Sequence, residues 1–350
     1  MPPSPSSSRA LGAILPQIAS GQAYEAHQKA RTFAARYVQS QQYDTAIDVL
    51  FQSARELLKA GQLGSGNDLS LFLLEVYDAK QEDVNIESRG RITQLIALTG
   101  PTGSWRKTLI DRSVAWTSRI GPYPGGDPEL HQYIAELLHK EGAFETAEPH
   151  FLLSGTRDSA RLFAQMMSQW WQSTGSSASP GAFALRGTLP YLQNGNILAA
   201  RTFLSNFISL STTAKPSLLS SLTSTPLQLT IAGSPSEGDE IVLTTDPTLN
   251  FLQLAVRTCQ RAQGDRNKQV REAWIRLCGT YQSKGGLLAK PEVRMVLSEL
   301  STLYFAIPPP RNQAANPFGD MLSSLFGGAP TGAPAPRVLA PGGSTSAGLD

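Results

Sequence analysis

Apolar residues recur along this chain every three or four positions in one stretch after another, the period of an amphipathic helix. Over 43–58 the set Ala46, Ile47, Leu50, Phe51, Ala54, Leu57 and Leu58 makes one wide stripe, which predicts a helix. The same step returns over 69–77, 91–98, 109–116, 130–138, 160–171, 249–262, 270–281 and 293–305. Gly61, Gly100, Gly142 and Gly264 follow such stretches where helix C-caps are expected. Asp127 before Pro128 is a capping carboxylate ahead of a first-turn proline. The helical pattern gives way in one place. Residues 225–231 and 239–245 alternate and are β-branched, with the turn formers of 232–238 between them, so an antiparallel hairpin is expected at about 225–245. A hairpin alone is marginal in water and must lean on helices or on a partner.

A degenerate signature repeats at Tyr24–His27, Tyr43–Ala46, Phe144–Ala147 and Gly195–Ala199: an aromatic or glycine turn, then a small residue that lets a second helix come close. Helix pairs that stack on small residues build tetratricopeptide-type arrays. The fold expected is therefore all-α, an α-solenoid of degenerate tetratricopeptide-like helix pairs with one small β-hairpin insertion. Residues 1–12, rich in Ser and Pro, are expected to be disordered, with solenoid halves over 13–155 and 156–307. The region 308–350 holds eight Pro and seven Gly and reads as a tail. One apolar island in it, Phe318, Met321, Leu322, Leu325 and Phe326, predicts a short docking helix over 318–326. The Ser/Gly-rich stretch 172–188 and the Ser/Thr-rich stretch 211–226 read as insertions or disordered connections. The run Gly61–Gly66 reads as a loop.

Composition narrows the chemistry. Thirty basic against 28 acidic residues leave a net charge of +2, which offers no argument for nucleic acid or an anionic membrane. No run approaches the length of a membrane span, so no direct membrane insertion is expected. Cys259 and Cys278, in apolar helical settings, read as buried thiols. His131, His139 and His150 have no clustered acid or Cys to complete a metal shell, and a solvated or capping role is expected. No phosphate loop, nucleophile elbow or HExxH motif is present. The reading is no enzyme, no cofactor and no metal, but recognition by surfaces.

Nine ordered pieces carry a resemblance: YEAHQ at 24–28 with Arg31, RYV at 36–38, YDTAI at 43–47, GSGNDL at 64–69, LLEVYD at 73–78, GDPELH at 126–131, AEPHF at 147–151, EIV at 240–242 and LNFLQL at 249–254. With the glycine-ended segment at 318–328, they resemble the fungal Golgi-to-ER traffic protein 4 family over roughly 20–330. The resemblance implies a cytosolic, non-catalytic α-solenoid that serves the delivery of tail-anchored proteins to the endoplasmic reticulum. It implies two partners. A targeting ATPase of the arsenical-pump type, a homodimer in its closed nucleotide-bound form, would meet the N-terminal half. The ubiquitin-like protein 5 of the pathway would wrap the C-terminal half and tether a glutamine-rich tetratricopeptide co-chaperone.

The residues expected at the ATPase are Tyr24, His27, Gln28, Arg31, Arg36 and Asp68. Asp68, at the expected loop-to-helix start, could equally be an N-cap. Those expected at the ubiquitin-like partner are Ile241, Val242, Leu243, Phe251, Leu252 and Leu254, unless they pack internally. The alternative is a helical-repeat scaffold of another assembly, such as a proteasome lid, whose subunits end in a winged-helix module with a three-stranded sheet.

Overall fold

The apolar stripes are buried mainly against helices one or two places away along the chain. The computed structural model describes residues 5–175, 178–221, 227–229 and 239–309. Its helices are α1 (Pro5–Ala19), α2 (Ala23–Gln39), α3 (Tyr43–Lys59), α4 (Leu63–Lys80), α5 (Ile86–Thr99), α6 (Trp105–Ile120) and α7 (Pro128–Lys140). They continue as α8 (Phe144–Ser154), α9 (Arg157–Ser173), α10 (Pro180–Gln193), α11 (Ile197–Ala214), α12 (Pro247–Gln260), α13 (Lys268–Gln282) and α14 (Pro291–Phe305). From α1 to α12 each packs on the helix one or two along the chain, the arrangement of an α-solenoid. Residues Met1–Ile307 form one compact unit. Of the second, Pro308–Asp350, only the first two residues are described, and the helix expected over 318–326 lies outside the described residues.

Small residues set the close approaches. Ala26, Ala30, Ala34, Ala46, Ala147 and Ala199 are buried at helix contacts, as the repeat signature requires. Gly66 belongs to α4, not to a loop: a Cβ there would stand 2.6 Å from Leu58 Cγ and 3.2 Å from the Ala54 carbonyl, so α3 and α4 touch backbone to side chain. The run 61–66 is thus a turn followed at once by helix. Its glycines are spacing devices as well as punctuation.

Two further expectations fail for related reasons. Residues 5–12, expected to be disordered, are the first turns of α1: Ser7, Ala10, Leu11, Ile14 and Ile18 form a buried stripe, and the serines are small enough for α1 to lie against α3. Residues 180–188, read as part of an insertion, begin α10. Ser179 and Pro180 start the helix, and Gly187 admits the ring of Phe203 from α11. Asp246 then caps two helices, accepting from Thr248 and Leu249 of α12 and from Ser179 and Gly181 at the head of α10.

The expected hairpin is present as β1 (Leu227–Leu229) and β2 (Asp239–Ile241), antiparallel, with Leu227 opposite Ile241 and Leu229 opposite Asp239. Its turn at 232–238 lies outside the described residues. Two amide side chains of α12 hold the strand that leaves β2. Gln253 accepts from Val242 N and donates to Val242 O, both at 2.9 Å, and Asn250 does the same for Thr244 at 2.9 and 2.8 Å. The helix thereby supplies the ladder partners that a lone hairpin lacks.

Candidate partner-binding surfaces

On α2, positions 24, 27, 28 and 31 fall on one face, and α4 brings Asp68 to it from 41 residues away. His27 Nε2 lies 2.7 Å and Arg31 Nη1 2.5 Å from the same Asp68 oxygen, Oδ2. Gln28 Nε2 is 3.4 Å from His27 Nδ1, so both ring nitrogens are engaged. The Arg31 guanidinium also lies 5.5 Å from the centre of the Phe72 ring, one turn beyond Asp68 on α4. Burial alone would raise the Asp68 carboxyl, but the hydrogen bonds from Arg31 and His27 outweigh it and hold its pKa below the ordinary value. Tyr24, one turn before His27, is 70% exposed with no bond to the cluster. The result is a fixed polar centre beside a free aromatic, the residue types that dominate interface energetics.

Two expectations here need correction. Asp68 is in the second turn of α4, whose first residue is Leu63, so it is not an N-cap. Arg36 is exposed but stands five residues past Arg31, about 140° around the helix, and does not join the cluster. Phe72 does join it, unanticipated because its neighbour arrives from another helix.

The C-terminal set divides more sharply. Phe251 and Leu252 have no exposed surface, and Ile241 is buried as well. Phe251 packs on Tyr281 with ring centres 5.4 Å apart. Phe251 and Leu252 fill the protein's own core, because α12 turns that face toward α10 and α13, while Ile241 is buried at the end of β2, which packs on α12. Leu243 and Leu254 are half-buried. Val242 alone of the six lines a groove of about 470 Å³ between α11, β2 and α12. Leu204, Ile208 and Val256 provide its apolar surface, Ser205, Ser209 and Thr212 a row of hydroxyls, and Arg201, Arg257 and Glu240 its charges. The α11 wall was hidden in the sequence, since its Ser and Thr positions look like a linker until the helix is seen to run on to Ala214.

His131 and His150 are neither solvated nor helix caps, while His139, half-exposed in the last turn of α7, keeps the surface setting expected of it. His131 is buried; its Nε2 faces the Gly125 carbonyl at 2.8 Å, and its Nδ1 faces His150 Nδ1 at 2.8 Å. A carbonyl only accepts, so Nε2 of His131 carries the proton, and His150 Nδ1–H donates to His131 Nδ1. Burial pushes both rings below their ordinary value, and His131 helps push His150 to about 4. His139 bonds Gln169 at 2.8 Å. Among the described residues no cluster of three or more His, Cys, Asp or Glu could hold a metal ion. Both cysteines are free, Cys259 buried and Cys278 partly so.

Comparison with known proteins decides the family. The family model for Golgi to ER traffic protein 4 matches residues 40–326. The chain belongs to that family. The Aspergillus fumigatus Golgi to ER traffic protein 4 is 33% identical over 329 residues, covering 89% of this chain and 88% of its own. The Schizosaccharomyces pombe family member is 29% identical, covering 88% and 92%, and the human homolog 25%, covering 91% and 86%. The crystal structure of C. therm. Get4 superposes with a TM-score of 0.76 at 30% identity, spanning 96% of this chain and 99% of its own. Family membership gives the protein a part in the GET pathway, which serves targeting to the endoplasmic reticulum. No helix among the described residues is long and apolar enough to cross a membrane. The sheet among them is two-stranded, unlike the winged-helix end of a proteasome-lid subunit.

Proposed function

We propose that this protein is a non-catalytic adaptor for tail-anchored clients, bridging a dimeric targeting ATPase to a ubiquitin-like partner and, through that partner, to a client-loaded tetratricopeptide co-chaperone. The observation that carries the reading is the separation of two unlike surfaces on one rigid helical array. The α2–α4 face offers charge and an exposed tyrosine, while the α11–β2–α12 groove offers a partly apolar trough. An adaptor with two such faces raises the local concentration of one partner for the other without new chemistry. The His27–Asp68 pair fits docking rather than proton transfer, because both imidazole nitrogens are occupied and Arg31 shares the carboxylate oxygen.

The test is a paired pull-down with purified partners. Arg31→Glu places a second carboxylate beside Asp68 and is expected to weaken retention of the nucleotide-closed ATPase at least tenfold while leaving the ubiquitin-like partner bound. Val242→Asp is expected to do the reverse. Folded variants that each retain both partners at wild-type level would sink the proposal.

A further inference from the structure

Trp105 begins α6 with 45% of its surface exposed. Of the other four tryptophans, Trp116, Trp171 and Trp274 are buried and Trp170 is partly so, packed against the core. Tryptophan is, with tyrosine and arginine, among the residue types that carry most of the energy at protein interfaces. The Trp105 ring lies beside Gly64 of α4, where an added Cβ would sit 3.9 Å from Cζ2, and beside Gly103, where an added Cβ would sit 3.7 Å from Cδ1. Gly64, Asp68 and Phe72 follow one another at four-residue steps, so they share one stripe of α4. Helix α2 meets that stripe from one side, through His27 and Arg31 on Asp68 and Arg31 on Phe72. Helix α6 meets it from the other side, through Trp105 on Gly64. The rise between Gly64 and Asp68 is about 6 Å, so the tryptophan stands roughly one turn from the charged centre.

We propose that Trp105 is a second aromatic anchor of the α2–α4 docking face, so that the ATPase is gripped across three helices, with Tyr24 and Trp105 on either side of the Asp68 centre. This rests on the adaptor reading above. Two helix spacings of 8–10 Å place the two aromatics roughly 20 Å apart, a width that suits one partner's share of a standard interface. The charges near Trp105 are already matched, Arg106 with Glu141 and Lys107 with Asp111. What this flank offers is therefore apolar contact. The matching partner surface has shallow apolar sockets either side of an acidic group that meets Arg31.

The experiment labels this protein alone with 5-fluorotryptophan and adds the unlabelled, nucleotide-closed ATPase dimer. Trp105→Phe assigns the Trp105 fluorine resonance, and Trp105→Ala and Arg31→Glu are titrated in parallel with far-UV circular dichroism as the check on folding. A shift or broadening of the Trp105 resonance on binding, with a loss of about tenfold or more for Trp105→Ala and a smaller one for Trp105→Phe, is the expected result. If Arg31→Glu weakens binding while the Trp105 resonance stays put and Trp105→Ala binds normally, the anchor is refuted and the α2–α4 site stands. If neither variant changes affinity, the anchor and the N-terminal site fall together.

Discussion

The buried His131–His150 pair should make this protein acid-labile in a defined window. In the folded chain His150 titrates at about 4 against an ordinary 6.5, held down by burial and by the neighbouring ring. In the unfolded chain it titrates normally. Between those values the unfolded state binds the extra proton, so stability is fully present above about 6.5 and is lost as pH falls toward about 4. The difference amounts to about 3 kcal/mol for His150, and His131, shifted the same way, adds to it. Asp127 near His131 and Asp111 near His150 oppose the shift and are outweighed. A proton added to His131 must go on Nδ1, where it meets the Nδ1–H of His150 at 2.8 Å, while a proton added to His150 goes on Nε2 and leaves an uncompensated charge beside His131.

The perturbation is His150→Gln, whose amide can still donate to His131 Nδ1 but carries no charge. Urea unfolding at steps from pH 7.5 to 4.5 measures the effect. The wild type is expected to lose on the order of 2 kcal/mol more than the variant across that range, and proton-carbon NMR should show His150 neutral at pH 5.5. Parallel curves for the two proteins, or a His150 midpoint near 6.5, would refute the reasoning.

Other sites give sharper single outcomes. Gly187→Ala puts a methyl 2.2 Å from the Phe203 ring; the overlap should outweigh the gain in helix propensity and cost about 1–2 kcal/mol, partly recovered by adding Phe203→Leu, whereas a raised Tm would contradict it. Arg106→Ala breaks a bidentate, largely buried pair with Glu141 between α6 and α7 and should cost about 2–3 kcal/mol in chemical denaturation, with Lys failing to restore the loss because it cannot bond both oxygens. Gln253→Leu strips Val242 of both main-chain partners, so the Val242 amide should exchange hydrogen at least tenfold faster while α3 and α4 amides are unchanged. Cys278, pushed by burial up to about 12, and Cys259, pushed up further by the same cause, should resist iodoacetamide at pH 8 until the protein is unfolded; rapid labelling of the native protein would count against both burials.

The helical array was legible because its cause is local. A stripe of apolar residues at three- and four-residue steps has one way to bury itself, and alanines at helix starts, such as Ala46 and Ala147, announce a neighbour coming close. The hairpin was legible for the same kind of reason, as alternation around a turn. The N-terminal cluster was half legible. Tyr24, His27, Gln28 and Arg31 share a face by helix geometry alone, but nothing in the spacing says that Asp68 lies against them or that Arg36 does not. Composition misled where small residues carry packing. Serines in α1 and glycines in α4 and α10 look like linker chemistry, yet they are what allows one helix to touch the next.

Periodicity along the chain therefore determined the elements and their class, since each helix answers to its own residues. Only the folded array decided which apolar residues become core, as Phe251 and Leu252 do, and which remain at a surface, as Val242 and Trp105 do. It alone brought His131 to His150 and Asp68 to Arg31. Those outcomes depend on distances between segments far apart in the chain, and a hydrophobic residue does not record in its own neighbourhood whether a helix will arrive to cover it.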